Sequence, residues 1–421
     1  MVKMLYENKI KLGIATCTAP FNKFILTAYK LAKTLKLKDV ANLCKKFFCC
    51  VIAGVLLIFF ANTATGAEGL QLSAGSAVVI CADTGKILFG KNEYEPRPMA
   101  STTKIMTALL TLEAAEGNDT KVTITDKMVP VEGSSMYLQV GQMLPLSSLA
   151  KGMLTVSGND AANSAAIIVG GSVDGFVDLM NKKAKQIGMN DTFFETPSGL
   201  DQGNHHSTAY DMALLGAYAL ENKAFFDISS KRRVDVQFFE PDEIRTLYNE
   251  NRMLKRYEGC IGVKTGFTRL AGRCLVSAAE RNSTRLVAVT LNAGDDWNDH
   301  EKLLDYGFSR VESVCFNDED YTVLPIVGGV QDDVTVYARE KVSLTVENGQ
   351  KEHIKKVVEV PHFLYAPVKQ GQVVGKIKYI LDDKTIAAND LVVSSDVEMH
   401  CPAPNMWQKF CEFFTEMFKR H

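Results

Sequence analysis

The stretch Ser101-Thr102-Thr103-Lys104 decides both the fold and the chemistry predicted for this chain. Two further motifs follow it in order, Ser157-Gly158-Asn159 and Lys264-Thr265-Gly266. A serine hydroxyl is a poor nucleophile until a base removes its proton. A lysine serves as that base when burial or a second cation lowers its pKa. The three motifs therefore predict Ser101 as a nucleophile and Lys104 as its base, with Lys264 as a candidate for the second cation.

The first motif opens a predicted helix. Apolar residues recur after Ser101 at helical spacing, and this pattern ends near Glu116-Gly117-Asn118. Residues three apart are neighbours on a helix, so we expect Ser101 and Lys104 on one face. Unpaired backbone N–H groups at a helix N-terminus favour an oxyanion there. The same Ser-x-x-Lys spacing recurs at residues 148–151, which we interpret as a solvated helix face.

Strand and helix patterns alternate around these motifs. Strands are predicted at residues 76–81, 87–89, 259–265, 274–279 and 285–291. Helices are predicted within 144–185, with interruptions at 157–160 and 170–171, and at 210–222 and 297–308. Strands at both ends with helices between them indicate one α/β domain, which we predict at residues 68–316.

The pattern changes after residue 316. From 321 to 397 the chain is rich in valine and alternates apolar with polar residues, with turn residues at 328–329, 347–349 and 382–383. This predicts a separate small all-β domain at residues 317–400.

The N-terminal region, residues 1–67, has the pattern of a secretory signal. Ten lysines precede an apolar run at 47–61, and small residues follow the run. The run is shorter than the roughly 20 residues that span a bilayer, although a retained single-span anchor is the alternative. In both cases the bulk of the chain is expected outside the cytosol, peripheral on the outer face of the cytoplasmic membrane.

The C-terminal region, residues 401–421, predicts an amphipathic helix. Its large apolar residues recur at helical spacing: Met406, Trp407, Phe410, Phe413, Phe414, Met417 and Phe418. Such a helix is typical of one that lies in a membrane interface. Docking on the β domain or on a partner is the alternative.

The overall composition excludes few classes of protein. The 421 residues predict two domains with terminal appendages, and the net charge of −2 gives no indication of a nucleic-acid partner. The dispersed cysteines are not the framework of a small disulfide-rich domain. Cys260 and Cys274 flank a predicted hairpin, where a disulfide or two buried thiols are both consistent with the sequence.

Other hydrolase and metal sites find little support in the sequence. The chain has no Gly-x-Ser-x-Gly elbow and no His-Glu-x-x-His zinc motif. His205 and His206 are adjacent, and adjacent side chains point apart on a helix or strand. We therefore expect surface or hydrogen-bonding roles for this pair and predict no metal.

Further matching segments support a family resemblance. With the three motifs, Thr196-Pro197-Ser198-Gly199-Leu200-Asp201 and Tyr210-Asp211-Met212 make residues 68–400 resemble the low-molecular-mass penicillin-binding proteins of the D-alanyl-D-alanine carboxypeptidase type. The resemblance implies an α/β, penicillin-binding and β-lactamase-like transpeptidase domain, in which helices flank an antiparallel sheet. It also implies a serine-type D-Ala-D-Ala carboxypeptidase that acts on peptidoglycan stem peptides without a cofactor. β-Lactam antibiotics are then its covalent inhibitors.

The resemblance also implies a role for individual residues. Ser101 attacks the penultimate D-Ala carbonyl, Lys104 takes its proton, and the backbone N–H groups of Ser101 and Phe267 form the oxyanion hole. Ser157, with Lys264 nearby, passes a proton to the departing D-Ala amine.

The remaining implied roles concern orientation and substrate binding. Asn159 orients Lys104 and the substrate amide, and Thr265, helped by Lys264, holds the terminal carboxylate. The substrate-binding residues implied in this way are Lys264, Thr265, Gly266 and Phe267.

One departure from the family concerns the substrate carboxylate. Many relatives have an arginine downstream of Lys-Thr-Gly, whereas this chain has Ala293-Gly294-Asp295-Asp296-Trp297-Asn298-Asp299-His300. Carboxylate recognition then rests on Thr265 and Lys264 alone, or uses Arg269 or Arg273, and the sequence does not distinguish these.

Three other functions remain as alternatives. A class A β-lactamase needs a glutamate that activates the deacylating water, and no Glu-x-x-Leu-Asn segment lies between Ser157 and Lys264. A cell-wall transpeptidase shares the acylation chemistry and differs in its acceptor. A penicillin-binding wall scaffold with slow turnover retains the fold, although the intact motifs weigh against it.

Overall fold

The computed structural model describes residues 70–318, 322–401 and 406–419. The predicted signal in residues 1–67 lies outside these residues. From Leu72 onward the chain forms one compact unit.

The first part of this unit contains the three motifs. Its strands are β1 (Ser76–Cys81), β2 (Ile87–Lys91), β3 (Lys121–Thr123), β4 (Met143–Pro145), β5 (Arg233–Phe239), β6 (Asp242–Tyr248), β7 (Cys260–Thr268), β8 (Gly272–Arg281) and β9 (Thr284–Ala293). Its helices are α1 (Lys104–Ala115), α2 (Leu146–Thr155), α3 (Asn159–Gly170), α4 (Val173–Ile187), α5 (Ala209–Glu221), α6 (Lys223–Ser229), α7 (Met253–Arg256) and α8 (Asp296–Phe308).

Five of these strands form an antiparallel sheet in the order β2-β1-β9-β8-β7. Two strands come from the start of the domain and three from its end, so the sheet is completed late in the chain, as predicted. β7, which carries Lys264-Thr265-Gly266, is an edge strand of this sheet.

Helices cover both faces of the sheet. A Cβ atom at Gly216 in α5 would lie 3.2 Å from Val287, and one at Gly307 in α8 would lie 2.7 Å from Leu286. Successive residues of a strand point to opposite faces, so α5 and α8 pack on opposite sides of β9. This arrangement confirms the predicted antiparallel sheet flanked by helices.

The central helix α1 is almost entirely buried and packs against α2, α3 and α5. It begins at Lys104, three residues later than the sequence pattern predicts. Ala100–Thr103 form a 3₁₀ turn ahead of it, and Ala100 has a φ of 49°, which is incompatible with an α-helix. Ser101 is therefore in a tight turn that leads into the helix.

The second Ser-x-x-Lys sequence was wrongly interpreted as a solvated face. Ser148 in α2 is completely buried, and Lys151 Nζ donates a hydrogen bond of 2.9 Å to the Asp235 carbonyl. The helix is enclosed because the β5–β6 hairpin packs against it.

The second part of the unit is all-β. Its strands are β10 (Val311–Phe316), β11 (Thr322–Val327), β12 (Asp333–Ala338), β13 (Val342–Glu347), β14 (Lys355–Glu359), β15 (Leu364–Tyr365), β16 (Val373–Leu381) and β17 (Lys384–Val393). A six-stranded sheet has the order β14-β16-β17-β12-β11-β15. Its core includes Val336, Ile377, Tyr379 and Leu391.

Polar contacts join the two parts. The boundary between the two domains was predicted after residue 316, which is the last residue of β10. β10 nevertheless pairs with β13 of the β domain. Thr345 Oγ1 donates a hydrogen bond of 3.0 Å to Asp83 Oδ2, and Lys86 forms an ion pair with Glu347. The turn after β1 therefore contacts the β domain.

Cys260 and Cys274 are free thiols. In the β7–β8 ladder, Cys260 lies opposite Ala279, whereas Cys274 lies opposite Gly266. A five-residue offset is roughly 17 Å along a strand, too far for a disulfide.

The last described element is α9 (Met406–Lys419). Among the residues that the structure describes, no helix is both long and apolar enough to cross a membrane.

Candidate active site

The 3₁₀ turn and the first turn of α1 bring Ser101 and Lys104 together. Lys104 Nζ lies 2.8 Å from Ser101 Oγ and donates a hydrogen bond of 2.7 Å to the Ser198 carbonyl. The lysine is fully buried, whereas Ser101 is partly exposed. The Ser101 hydroxyl is thus accessible from solvent, while the neighbouring Lys104 amine is not.

Burial controls the charge of this amine. Desolvation lowers the pKa of Lys104 well below its usual 10.5, and the Lys264 cation lowers it further. Asp160 and Glu250 act in the opposite direction. A lysine in this environment loses its proton readily enough to act as a base for the adjacent serine.

Lys264 lies on β7 and, like Lys104, is buried. Burial lowers its pKa to about 8, opposed by Glu250. Its Nζ donates a hydrogen bond of 2.8 Å to the carbonyl of Thr265. The second cation expected from the sequence is therefore present within the electrostatic range of Lys104.

The second motif spans the start of α3. Ser157 is buried and has a φ of 61°, and Asn159 is the first residue of the helix. The Asn159 Nδ2 group donates a hydrogen bond of 2.5 Å to the Glu132 carbonyl. Its Oδ1 atom is buried, and within the described part of the chain it has no hydrogen-bond partner. A buried amide oxygen without a partner is costly, so this atom is suited to accept a hydrogen bond from a bound substrate.

Strand β7 lies directly against the 3₁₀ turn Ala100–Thr103, called the nucleophile turn below because it contains the predicted nucleophile Ser101. A Cβ atom at Gly266 would lie 2.9 Å from the Ser101 nitrogen and 3.0 Å from that of Thr102. Only glycine permits this approach, which places the backbone after Gly266 beside the nucleophile. Phe267 follows, with its side chain 67% exposed.

Within residues 70–318, 322–401 and 406–419, no group of three or more His, Cys, Asp or Glu side chains is arranged to hold a metal ion.

Comparisons with known proteins place this chain in a family. Residues 61–295 match the family model described as D-alanyl-D-alanine carboxypeptidase. The chain belongs to the D-alanyl-D-alanine carboxypeptidase family. Residues 312–399 match a second model, described as the C-terminal domain of penicillin-binding protein 5.

Individual relatives are similar over most of their length. D-alanyl-D-alanine carboxypeptidase DacF of Bacillus subtilis is 32% identical, with 84% of this chain and 95% of the relative covered. DacC of Escherichia coli, which has the same description, is 33% identical, with 86% and 96% covered. The crystal structure of penicillin-binding protein 5 from Haemophilus influenzae is 30% identical with a TM-score of 0.57, over 79% of this chain and all of that one.

This member of the carboxypeptidase family has a buried histidine behind its nucleophile turn. His205 Nδ1 accepts a hydrogen bond of 2.9 Å from the Glu195 N–H, so the ring proton lies on Nε2. Nε2 donates to Thr103 Oγ1 at 2.9 Å, and that hydroxyl donates to the Ala100 carbonyl at 2.8 Å. Burial, with a contribution from His206, lowers the pKa of His205 to about 4. The sequence allowed a hydrogen-bonding role but gave no sign of this location.

Asp160 was also missed as a site residue. Its carboxylate accepts hydrogen bonds from the Met136 N–H at 3.0 Å, the Leu138 N–H at 2.9 Å and the Ser135 hydroxyl at 2.7 Å. These bonds hold the loop that precedes β4 against the Ser157-Gly158-Asn159 motif. The acidic residue after the motif was the only signal in the sequence.

Proposed function

We propose that this protein is a serine-type D-Ala-D-Ala carboxypeptidase that removes the terminal D-alanine from peptidoglycan stem peptides. The observation that carries the proposal is the buried Lys104 amine 2.8 Å from Ser101 Oγ. Membership of the family supports the substrate class. Covalent inhibition by β-lactam antibiotics follows from the same nucleophile.

In the acylation step, Ser101 Oγ attacks the carbonyl carbon of the penultimate D-Ala and Lys104 Nζ takes its proton. The backbone N–H groups of Ser101 and Phe267 bind the resulting oxyanion, because Gly266 allows β7 to approach the nucleophile. The C–N bond then breaks, and Ser157 with Lys264 delivers a proton to the departing amine. Free D-alanine leaves, and the rest of the peptide remains esterified to Ser101.

Deacylation uses the same groups as acylation, with water as the nucleophile and Ser101 Oγ as the leaving group. Water attacks the ester carbonyl, its proton is accepted by the basic groups around Ser101, and the Ser101–acyl bond breaks. Asn159 Oδ1, which is buried without a partner in the described residues, accepts the amide N–H of the substrate. Its role in orienting Lys104 is indirect, because the hydrogen bonds of Lys104 run to Ser101 and to the Ser198 carbonyl.

The location proposed for the enzyme is the outer face of the cytoplasmic membrane. The secretory pattern in residues 1–67 supports export. The helix α9 exposes Met406, Trp407 and Phe410, and the two rings stack 5.6 Å apart. Exposed aromatic residues on an amphipathic helix are suited to a membrane interface, so we propose that α9 binds the membrane surface.

The activity is tested with protein that begins at residue 68 and the peptide diacetyl-Lys-D-Ala-D-Ala. We expect release of one D-alanine per peptide, and benzylpenicillin should block it. Release of no D-alanine despite stable penicillin labelling would instead indicate a transpeptidase or a scaffold. Rapid destruction of penicillin would indicate a β-lactamase.

Substitution of the nucleophile gives the matching control. Ser101→Ala should abolish penicillin labelling and D-alanine release without changing the circular dichroism spectrum. Ser148→Ala should retain both activities, because the Ser148 hydroxyl is buried in α2 without a hydrogen-bond partner in the described residues. Labelling that survives in Ser101→Ala would place the nucleophile elsewhere.

A further inference from the structure

The proposed substrate ends in a carboxylate, and more than one cation near Thr265 is a candidate to bind it. This inference rests on the proposed function. The stretch from Ala293 to His300, where many relatives have an arginine, contains none. A carboxylate that leaves water needs charged or hydrogen-bonding partners, because its desolvation is otherwise costly.

The β7–β8 ladder places one arginine beside Thr265. Thr265 pairs with Leu275, and Phe267 pairs with Arg273. Residues two apart in a strand share a face, so Thr265, Phe267 and Arg273 all project to the same side of the sheet. Arg273 is the diagonal neighbour of Thr265, and such neighbours are about 7–8 Å apart, within reach of a long side chain.

Lys264 projects to the opposite face of the sheet from Thr265 and Arg273. It pairs with Val276, and Val276 faces α5, since a Cβ atom at Gly216 would lie 3.1 Å from it. The Lys264 amine is buried and bonded to the Thr265 carbonyl. Its Nζ also lies 3.4 Å from Thr265 Oγ1, and its charge lowers the pKa of Lys104. Because this one amine serves both Lys104 and Thr265, a second cation on the Thr265 side of the sheet would strengthen the binding of a carboxylate.

Arg273 has the exposure and the donors for this task. Its side chain is 54% exposed, and Nη1 lies 3.6 Å from Oδ1 of the buried Asp296 in the first turn of α8. A guanidinium has five N–H donors in a planar fork that matches a carboxylate. One long contact with Asp296 leaves donors for a ligand and restrains the direction of the side chain.

Arg269 lies in a different position. It follows the end of β7 in the exposed turn between β7 and β8, outside the ladder that places Arg273 next to Thr265. It therefore serves as a matched control, with the same charge in the same hairpin.

We propose that Arg273 binds the terminal carboxylate of the D-Ala-D-Ala substrate together with Thr265, and that Asp296 is a positioning residue for Arg273. This supplies the cation that the 293–300 segment lacks.

The test compares two peptides, diacetyl-Lys-D-Ala-D-Ala and its C-terminal amide. Arg273→Gln should lower kcat/KM for the acid by about 10- to 100-fold, the range expected for a hydrogen bond to a charged group, and change the amide little. Arg273→Lys should restore part of the preference for the acid. Asp296→Asn should lower the acid/amide ratio less than Arg273→Gln does, mainly through KM.

Other outcomes would overturn the proposal. An unchanged acid/amide ratio in Arg273→Gln would show that Arg273 does not bind the carboxylate, and an equal loss with both peptides would indicate a structural effect. Loss of the ratio in Arg269→Gln would assign the role to Arg269.

A second pair of ligands separates this proposal from the proposed function. If the wild-type protein releases no D-alanine, the proposed function fails, and acylation by benzylpenicillin and by its methyl ester then tests Arg273. We expect Arg273→Gln to slow acylation by the acid and to affect the ester little. Equal effects on the two would contradict the carboxylate role.

Discussion

The chemistry of single residues depends on two lysines that are both nearly inaccessible to water. Lys104 is completely buried and Lys264 is 1% exposed. Burial penalises the charged form of each, so both pKa values fall below 10.5, that of Lys264 to about 8. A deprotonated Lys104 next to a protonated Lys264 is therefore the state suited to acylation near neutral pH.

Lys264 should control the pH profile of acylation. Lys104 is the proposed base, so acylation should become faster as the pH increases through its pKa. Lys264→Gln removes the cation that lowers this pKa, and the low-pH limb should move to higher pH. Lys264→Arg keeps the charge and should leave the limb in place. The measurement is the rate constant of benzylpenicillin acylation between pH 5 and 10. A low-pH limb that stays in place in Lys264→Gln would contradict the electrostatic coupling between Lys264 and Lys104.

Buried histidines should make the fold sensitive to acid. Burial lowers the pKa of His205 to about 4 and that of His300 to about 3, both from 6.5. A base with a depressed pKa in the folded state stabilises above its unfolded pKa, and this contribution is lost as the pH falls from 6.5 towards 4. For His205 alone the loss at pH 5 is about 2 kcal/mol.

The histidine prediction is tested by urea denaturation at pH 7.5 and pH 5. The free energy of unfolding of the wild-type protein should fall between these pH values, and the fall should be smaller in His205→Gln. His300 remains in both proteins and serves as the internal reference. The same pH dependence in both proteins would show that His205 does not titrate as described.

At the scale of elements, the nucleophile turn is held between two other segments. β7 approaches it through Gly266, and the segment before α5 approaches it through Gly199, which has a φ of 82°. A Cβ atom at Gly199 would lie 1.9 Å from the Ala100 carbonyl. The adjacent Ser198 carbonyl accepts the Lys104 hydrogen bond, so this close packing also orients the base.

Gly199→Ala should therefore damage the site as well as the stability. Gly117 is a matched control, because its φ is 77° and nothing lies within 4 Å of its Cβ position. Gly117→Ala should cost only the strain of a positive φ, about 1–2 kcal/mol, and retain acylation. Gly199→Ala should cost more and slow benzylpenicillin acylation at least tenfold. Equal acylation rates in the two variants would show that the packing of Gly199 does not position Ser101.

At the scale of the whole molecule, the β domain lies between the catalytic domain and α9 in the sequence. Its contacts with the catalytic domain include the Lys86–Glu347 ion pair, whose side chains are 53% and 39% exposed. Exposed ion pairs contribute about 0–1 kcal/mol, so this pair alone does not fix the two domains together. The more buried Thr345 also donates to Asp83, which adds a bond that water competes for less.

The terminal helix should determine membrane binding. Deletion of residues 405–421 from the protein that begins at residue 68 should abolish its flotation with anionic lipid vesicles. Trp407→Ser with Phe410→Ser should weaken binding strongly, because both rings are exposed on α9. Gln408→Ser changes the same helix without removing an aromatic ring and should bind normally. Unchanged flotation of the deletion variant would exclude α9 as the membrane-binding element.

Much of this organisation was predictable from local sequence. The order of the three motifs is read directly from the sequence. The strands at both ends of the catalytic domain and the valine-rich β domain follow from periodicity and turn residues. Ser101 and Lys104 were expected to be neighbours because their spacing alone brings them together. These features depend on residues close in sequence, for which backbone geometry leaves few choices.

The tertiary structure alone decided the features that depend on distant segments. The hydrogen bond from Lys104 to the Ser198 carbonyl and the contact of His205 with Thr103 join residues about a hundred positions apart. The burial of Ser148 likewise depends on which hairpin packs nearby. The sequence by itself determined the three motifs and their order, whereas packing determined the pKa values and directions of their side chains, because desolvation and register arise only when separate segments meet.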